Sequence, residues 1–219
     1  MTICSSCARR LVVSALTGMV LIPALAAGQP PSGSAADGSR RVTVFGSVGY
    51  NSQVDDESSL GKGAGFSGGA AIWLGRKVSV GVEVVGLTHE RDLTYYAVPA
   101  DRRDAPIPVS SSLTGTATYV LGQLTYTFST SRIQPFVSGS LGVMHYSGTP
   151  WSAMFPGPGH DPDARFQTTA SAMGAAGGVN VMLSRGFWVG PHAGLLTSGT
   201  AEHGTKAAVY GGVRAGFDW

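Results

Sequence analysis

The sequence has few of the residues that build redox, metal or phosphate-binding sites. Its two cysteines, Cys4 and Cys7, lie close to the start, and its five histidines are scattered without a metal-ligand spacing. His89-Glu90 lacks the second histidine that a helical zinc motif needs four residues after the first. Glycine-rich stretches such as 174–178 have the context of a strand, which excludes a phosphate-binding loop. We expect no metal and no cofactor.

Long apolar runs are also scarce, and the clearest one lies at the N-terminus. Residues 11–25 follow Arg9 and Arg10 and end at Ala24-Leu25-Ala26, a small-residue cleavage pattern. The run is too short for a membrane helix and contains Pro23. We predict a secretory signal peptide over residues 1–26, whose removal takes both cysteines with it.

Charged residues are also scarce. Asp, Glu, Lys and Arg make up only 13% of the chain, about half of their usual share. Loss of Arg9 and Arg10 reduces the 15 basic residues to 13, which equals the 13 acidic ones. A mature chain without net charge gives no electrostatic reason to expect a nucleic-acid partner. The next segment, 27–40, is small, polar and rich in Gly, Pro and Ser, and it reads as a disordered linker.

The feature that is plentiful is period-2 alternation, and residues 206–219 show it best. One face is apolar or small, the pattern of a strand with two different faces: Ala207, Val209, Gly211, Val213, Ala215, Phe217 and Trp219. The other face carries the polar residues and the remaining small ones: Lys206, Ala208, Tyr210, Gly212, Arg214, Gly216 and Asp218. Such a terminal strand would be an exposed edge unless it paired with the first strand and closed a barrel.

The whole chain from 41 to 219 divides into strand-like segments. Eight are predicted, at about 41–50, 63–74, 78–88, 113–128, 135–146, 166–183, 187–196 and 206–219. Their connections alternate between short turns and longer loops, with the longest at 89–112 and another at 147–165. This alternation predicts an all-β, eight-stranded, antiparallel up-and-down barrel with both termini on the side of the short turns.

The position of the charges indicates that the barrel spans a membrane. Nearly all charged residues fall in the linker, loops or turns, whereas Glu83 and Arg214 lie within strands. Lipid explains this, because Lys or Arg facing the bilayer centre costs roughly 2–4 kcal/mol. A soluble lipocalin-like barrel is a further alternative, but it would need a charged exterior and a ligand-sized apolar interior.

Three stretches resemble a known family: 134–142 (QPFVSGSLG), 177–185 (GGVNVMLSR) and the final GFDW. The region 41–219 is similar to the small eight-stranded outer-membrane barrels, the OmpA transmembrane domain and the OmpX/Ail group. The resemblance implies a monomer in the outer membrane with periplasmic termini, in contact with outer-membrane lipid and lipopolysaccharide. It also implies that Phe217 and Trp219 form a C-terminal signal for the barrel-assembly machinery.

An eight-stranded barrel is just wide enough for side chains to fill, and alternation places small and polar residues inside it. The expected lumen residues are Ser79, Gly81, Glu83, Gln123, Thr125, Gly212, Arg214 and Gly216. We therefore expect a narrow polar lumen. Glu83 and Arg214 lie at similar distances along their strands from the turn side, so one hypothesis is an ion pair between them. The alternative, held equal, is that each side chain bonds to other lumen groups or to water.

Aromatic residues suggest two surface features. Tyr126, Phe128, Phe217 and Trp219 sit at turn-side strand ends, with Trp73 and Phe187 also near turns, which is typical of an interfacial girdle. Tyr95, Tyr96, Trp151 and Phe155 fall in the two longest loops. These four could contact an extracellular ligand, or they could cover the barrel mouth and meet lipopolysaccharide headgroups; the sequence identifies no ligand.

Catalysis is not expected. His145 and Ser147 share a strand face, as a His–Ser pair does in the lipid A deacylases of the outer membrane. The fuller motif of those enzymes is missing, and the sequence places no acid to orient His145. The prediction is a non-catalytic barrel with a structural or surface-interaction role; the alternative is an enzyme that modifies outer-membrane lipid.

Overall fold

The computed structural model describes residues 41–53, 61–97, 107–148, 166–200 and 204–219. These ranges contain eight strands: β1 (Val42–Gln53), β2 (Lys62–Trp73), β3 (Val78–Ala97), β4 (Ile107–Thr127), β5 (Ile133–Gly148), β6 (Phe166–Met182), β7 (Phe187–Thr200) and β8 (Gly204–Asp218). No helix among the described residues is long and apolar enough to cross a membrane. The predicted signal peptide at 1–26 and linker at 27–40 lie outside the described residues and stay predictions.

The strands pair in chain order, and β8 returns to pair with β1, so the sheet is a closed barrel. All pairs are antiparallel, and the closing seam runs from Thr43 opposite Asp218 to Gln53 opposite Ala208. Closure leaves no strand edge with unpaired backbone groups, which is what a sheet surrounded by lipid requires. The predicted fold class and strand count are confirmed.

Alternation along each strand separates an apolar outside from a packed inside. On β8, Val209 and Val213 are exposed, whereas Arg214 is buried. Along β4 and into the next turn, the outward side chains are apolar or Gly from Val120 to Phe128, and on the loop side of Val120 they are threonines. Nine residues rising about 3.3 Å each at a tilt of about 40° cover roughly 20 Å, close to the apolar belt of outer-membrane barrels. We call the outward residues at this depth the apolar band.

Short turns at 74–77, 128–132 and 183–186 define one end of the barrel, the turn side; the opposite end is the loop side. Gly186 adopts φ 82° in the turn between β6 and β7, a left-handed conformation that favours glycine. The Asp218 carbonyl also leaves no room there for a Cβ atom. The turn is also tied to β8, because the Asp218 N–H donates a hydrogen bond of 2.8 Å to the Gly186 carbonyl oxygen.

The predicted loop at 89–112 is wrong over most of its length. β3 continues to Ala97 and β4 begins at Ile107, and the two remain paired to their ends, Ala97 opposite Ile107. Outward residues here are polar, for example Asp92 and Ser112. Once a strand passes beyond lipid, its outer face no longer has to be apolar, so the alternation that identifies strands disappears while backbone pairing continues.

Candidate functional site

The lumen is filled by side chains in layers. The loop-side part holds a cluster of buried, mainly apolar residues, with Tyr210 packed against them: Val85, Leu87, Ala117, Tyr119, Leu121, Met144, Tyr146, Ala170, Ala172, Leu196 and Ala208. A smaller cluster of Phe45, Ala71 and Trp188 lies nearer the turn side. The eight predicted lumen residues do share the inward parity, but the description of the lumen as polar is wrong for its loop-side part. The apolar layer was missed because alternation reports parity and not the chemistry of each layer.

Glu83 and Arg214 both lie in the lumen and are buried, with 6% and 8% of their surface exposed. Glu83 Oε2 accepts a hydrogen bond of 3.2 Å from Gln123 Nε2, which also lies 3.2 Å from Ser138 Oγ. The Arg214 guanidinium sits over three rings, at 4.5 Å from Phe45, 4.7 Å from Phe136 and 5.1 Å from Trp188.

The predicted direct ion pair between Glu83 and Arg214 is not found among the described residues, where the ion pair present joins Arg41 to Asp218. Both charges are buried in the same lumen, where opposite charges interact without direct contact because little water screens them. Glu83 instead hydrogen-bonds to Gln123, and Arg214 contacts aromatic rings, which is closer to the alternative of contacts with other lumen groups or water. Barrel stagger, which sequence does not reveal, decides which side chains meet.

A second polar group closes the turn side, and we call it the Asp218 clasp. The Asp218 carboxylate accepts hydrogen bonds from the Thr43 hydroxyl and from Trp188 Nε1, the latter at 3.3 Å. Arg41 pairs with its other oxygen at 3.3 Å. Trp73 Nε1 donates to Thr43 Oγ1 at 2.7 Å. The clasp therefore joins β1, β2, β7 and β8 where the first and last strands meet.

The clasp accounts for Trp73, which the girdle prediction included, and for Trp188, which it did not include. Trp73 points inward rather than to the membrane interface, and the Arg41 guanidinium lies 4.2 Å from its ring centre. Trp188 is 3% exposed and was missed by the sequence argument. The available signal was parity, since Trp73 falls on the face opposite Ile72 and Leu74.

Replacement of Asp218 by alanine is expected to lower the free energy of unfolding by about 2–3 kcal/mol, because it removes two hydrogen bonds to a buried charge. Arg41→Ala is the matched control. Arg41 is substantially exposed, so its loss should cost less than about 1 kcal/mol. Urea unfolding in detergent micelles, followed by tryptophan fluorescence, measures both. Equal effects for the two variants would contradict a buried clasp centred on Asp218.

On the outer surface, the turn-side aromatics of the predicted girdle lie in two neighbouring pairs. Tyr126 and Phe128 meet edge to face at 5.2 Å between ring centres, and Phe217 and Trp219 lie 5.3 Å apart. Phe187 is also exposed. The outward position of Phe217 and Trp219 is compatible with their predicted role in assembly, which stays a prediction.

The four residues predicted for surface contact fall in different places. Tyr96 lies on β3 and is 68% exposed, opposite Pro108 on β4. Tyr95 is on the same strand, and its side chain lies outside the described part. Trp151 and Phe155 are outside the described residues altogether. The structure therefore places Tyr96 on a projecting hairpin. Contact of these four residues with an extracellular ligand stays a prediction.

His145 is exposed on β5, at the loop-side boundary of the apolar band. Its Nδ1 lies 3.1 Å from the hydroxyl oxygen of Thr169 on β6. The hydrogen-bond partner found for the ring among the described residues is therefore a hydroxyl group and not the carboxylate that would orient a catalytic histidine. Across the described ranges, no group of three His, Cys, Asp or Glu side chains is arranged to hold a metal ion.

Comparisons by sequence give no relatives. No protein-family model matches the chain, and no curated protein matches it.

Comparison by structure gives outer-membrane barrels. The chain is similar to Neisserial surface protein A of Neisseria, with 12% identity and a TM-score of 0.54 over 79% of this chain and 95% of that one. Ail of Yersinia pestis has 13% identity and a TM-score of 0.47, over 82% of this chain and 99% of that one. OprG of Pseudomonas aeruginosa has 11% identity and a TM-score of 0.46, over 82% and 96%. At 12% identity, the similarity to Neisserial surface protein A shows the fold alone, which is that of a small outer-membrane β-barrel.

Proposed function

We propose that this outer-membrane barrel has a non-catalytic, structural or surface-interaction role, exerted through the hairpin that projects from its loop side. The observation that carries the proposal is the length of β3 and β4. From Thr88 to Ala97, β3 stays paired with β4 beyond the apolar band. The filled lumen provides a rigid base for this hairpin, because the buried cluster and the Arg214 layer occupy its cross-section.

The projecting hairpin has the composition of a contact surface in water. Thr94 and Ser110 lie across from each other with hydroxyl oxygens 3.4 Å apart, and Tyr96 is exposed close to its end. Exposed aromatics on a rigid scaffold often recognise partners. Contacts with lipopolysaccharide, an extracellular ligand and the assembly machinery are part of this proposal, as is the monomeric state.

Orientation is tested by single-cysteine labelling, since both cysteines of the chain, Cys4 and Cys7, lie in the predicted signal peptide. Tyr96→Cys should react with a membrane-impermeant maleimide on intact cells. Ser131→Cys, in a turn at the other end of the barrel, should react only after the outer membrane is permeabilised. The reverse pattern would overturn the proposed orientation and the surface role with it.

The role itself is tested with a shortened hairpin. Replacing residues 92–112 by Asn-Gly should close β3 and β4 in a two-residue turn and keep the barrel. Binding of cells that carry either form to arrayed glycans and extracellular-matrix proteins is then compared. If binding to a glycan or matrix protein is lost on shortening, the hairpin has a surface-interaction role. If the shortened form still binds, another part of the protein makes the contact.

The lipid-modifying alternative predicts a different result. If His145 acted on outer-membrane lipid, His145→Ala would change the lipid A mass spectrum of cells that produce the protein. We expect the spectra of wild-type, His145→Ala and empty-vector cells to be the same. An acyl chain missing only with the wild-type protein would establish the enzyme and overturn the non-catalytic role.

A further inference from the structure

The membrane-facing wall of the barrel carries an apolar groove of about 670 Å³, which we call the glycine groove. Gly122 on β4 and Gly139 on β5 leave its floor as bare backbone. Its sides are outward-facing apolar residues of five neighbouring strands: Val80, Leu124, Leu141, Met173 and Leu195. The groove has the volume of an ordinary small-molecule site, about 300–1,000 Å³.

The two floor glycines are not required by the backbone or by packing. A Cβ atom at Gly139 would meet nothing within 4 Å, and one at Gly122 would meet only the Leu141 carbonyl oxygen at 3.6 Å. Neither has a positive φ. Larger residues would fit at both positions, so the consequence of glycine here is the groove itself.

A polar pocket of about 530 Å³ lies on the same wall nearer the loop side. We call it the hydroxyl pocket, and it is lined by Lys62, Thr88, Glu90, Thr114, Thr116 and Ser147. Lys62 stands opposite Glu90, and Thr116 stands opposite both Thr88 and Ser147. An ammonium group suits a phosphate, while a carboxylate and hydroxyls suit the hydroxyl groups of a sugar.

The groove and the pocket lie at different depths along the wall. On β4, Gly122 and Thr116 are six residues apart, roughly 20 Å along the strand and about 15 Å of depth at a 40° tilt. The apolar band is roughly 20 Å deep, so a pocket this far from the groove lies just outside the band on the loop side, at the level of lipid headgroups. The surface between them carries the paired Val120 and Val143 and then, nearer the pocket, the paired Thr118 and His145, all exposed. Apolar surface therefore leads from the groove to the edge of the band, and polar side chains lead from there to the pocket.

We propose that this wall binds one phosphorylated glycolipid of the outer leaflet, with its headgroup in the hydroxyl pocket and one acyl chain in the glycine groove. The proposal rests on the orientation given under the proposed function, with the loop side outside, and not on the binding role of the hairpin. The groove lies at mid-band depth, where the end of an outer-leaflet chain would lie. The pocket lies where the outer surface changes from apolar residues to threonine.

Native mass spectrometry of the full barrel, refolded into vesicles of phosphatidylethanolamine and phosphatidylglycerol with deep-rough lipopolysaccharide, tests the proposal. After extraction in detergent, the wild type should retain one lipopolysaccharide molecule. Gly122→Leu/Gly139→Leu fills the groove and should reduce the retained fraction at least tenfold. Lys62→Gln should reduce it severalfold. Gly211→Leu is the matched control, since an outward Cβ there makes ordinary contacts of 3.4 Å or more on the far side of the barrel, and it should retain the lipid.

Several outcomes would overturn the site. Equal retention by the groove-filled double variant and the control would do so. Retention of phosphatidylglycerol in place of lipopolysaccharide would overturn the assigned headgroup. A wild-type dimer that is lost on groove filling would make the occupant a second copy of the chain. A normal gel shift between boiled and unboiled samples confirms that each variant is folded, and cell binding by the shortened-hairpin form reports the hairpin role separately.

Discussion

Gly212→Leu is expected to leave the refolded chain without the faster-migrating unboiled gel band of a closed barrel. Gly212 faces Gly49 across the seam between β8 and β1. A Cβ atom at Gly212 would overlap the Val48 carbonyl oxygen and come within 2.6 Å of the Gly49 Cα. The relation is reciprocal, because a Cβ at Gly49 would overlap the Gly211 carbonyl oxygen. Backbone atoms cannot move aside as a flexible side chain can, so the seam must separate.

The adjacent residue provides the control. Gly211 points outward, and a Cβ there would lie 3.4 Å from the His192 carbonyl oxygen and 3.6 Å from the Ala193 Cβ, which the structure can accept. Gly211→Leu should therefore give the wild-type gel shift and the wild-type circular dichroism spectrum. If Gly212→Leu also folds normally, the backbones at this seam are not as close as the structure places them.

Part of the seam between β8 and β1 can be predicted from the sequence, and part cannot. Alternation over 206–219 predicts β8, its two faces and its closure onto β1, because lipid on one side and a packed lumen on the other impose period 2 on every residue. Close approach of Gly49 and Gly212 depends on the register between two strands more than 150 positions apart. Register between strands is set by barrel stagger, and alternation within one strand carries no information on it.

Alternation also fails where its physical cause is absent. Beyond the apolar band, β3 and β4 have water outside, and their outward residues Asp92, Thr94 and Ser110 follow no apolar pattern. This made a paired hairpin look like a loop. Inside the barrel, Leu87 and Tyr119 have the parity of Glu83 and Gln123, so parity predicted where these side chains point but not that they form an apolar layer.

The lumen charges give the second large effect. Arg214→Met keeps a long, flexible side chain among Phe45, Phe136 and Trp188 but removes its charge, and it should lower the free energy of unfolding by about 3–5 kcal/mol. Glu83 would then be a buried carboxylate without a nearby cation, which is the usual cause of a loss of that size. Urea unfolding in detergent, monitored by circular dichroism, gives the value.

Glu83→Gln separates the two contributions of Arg214. The amide of glutamine can still bond to Gln123, so Glu83→Gln/Arg214→Met should be more stable than Arg214→Met alone. Recovery should be incomplete, because the guanidinium also attracts three ring faces, worth about 2 kcal/mol when desolvated. A coupling of about 1–3 kcal/mol in this double-mutant cycle would mean that the charges stabilise each other across the lumen without a direct contact. Strictly additive effects would mean that the rings alone hold Arg214, and that the attraction to Glu83 contributes nothing to folding.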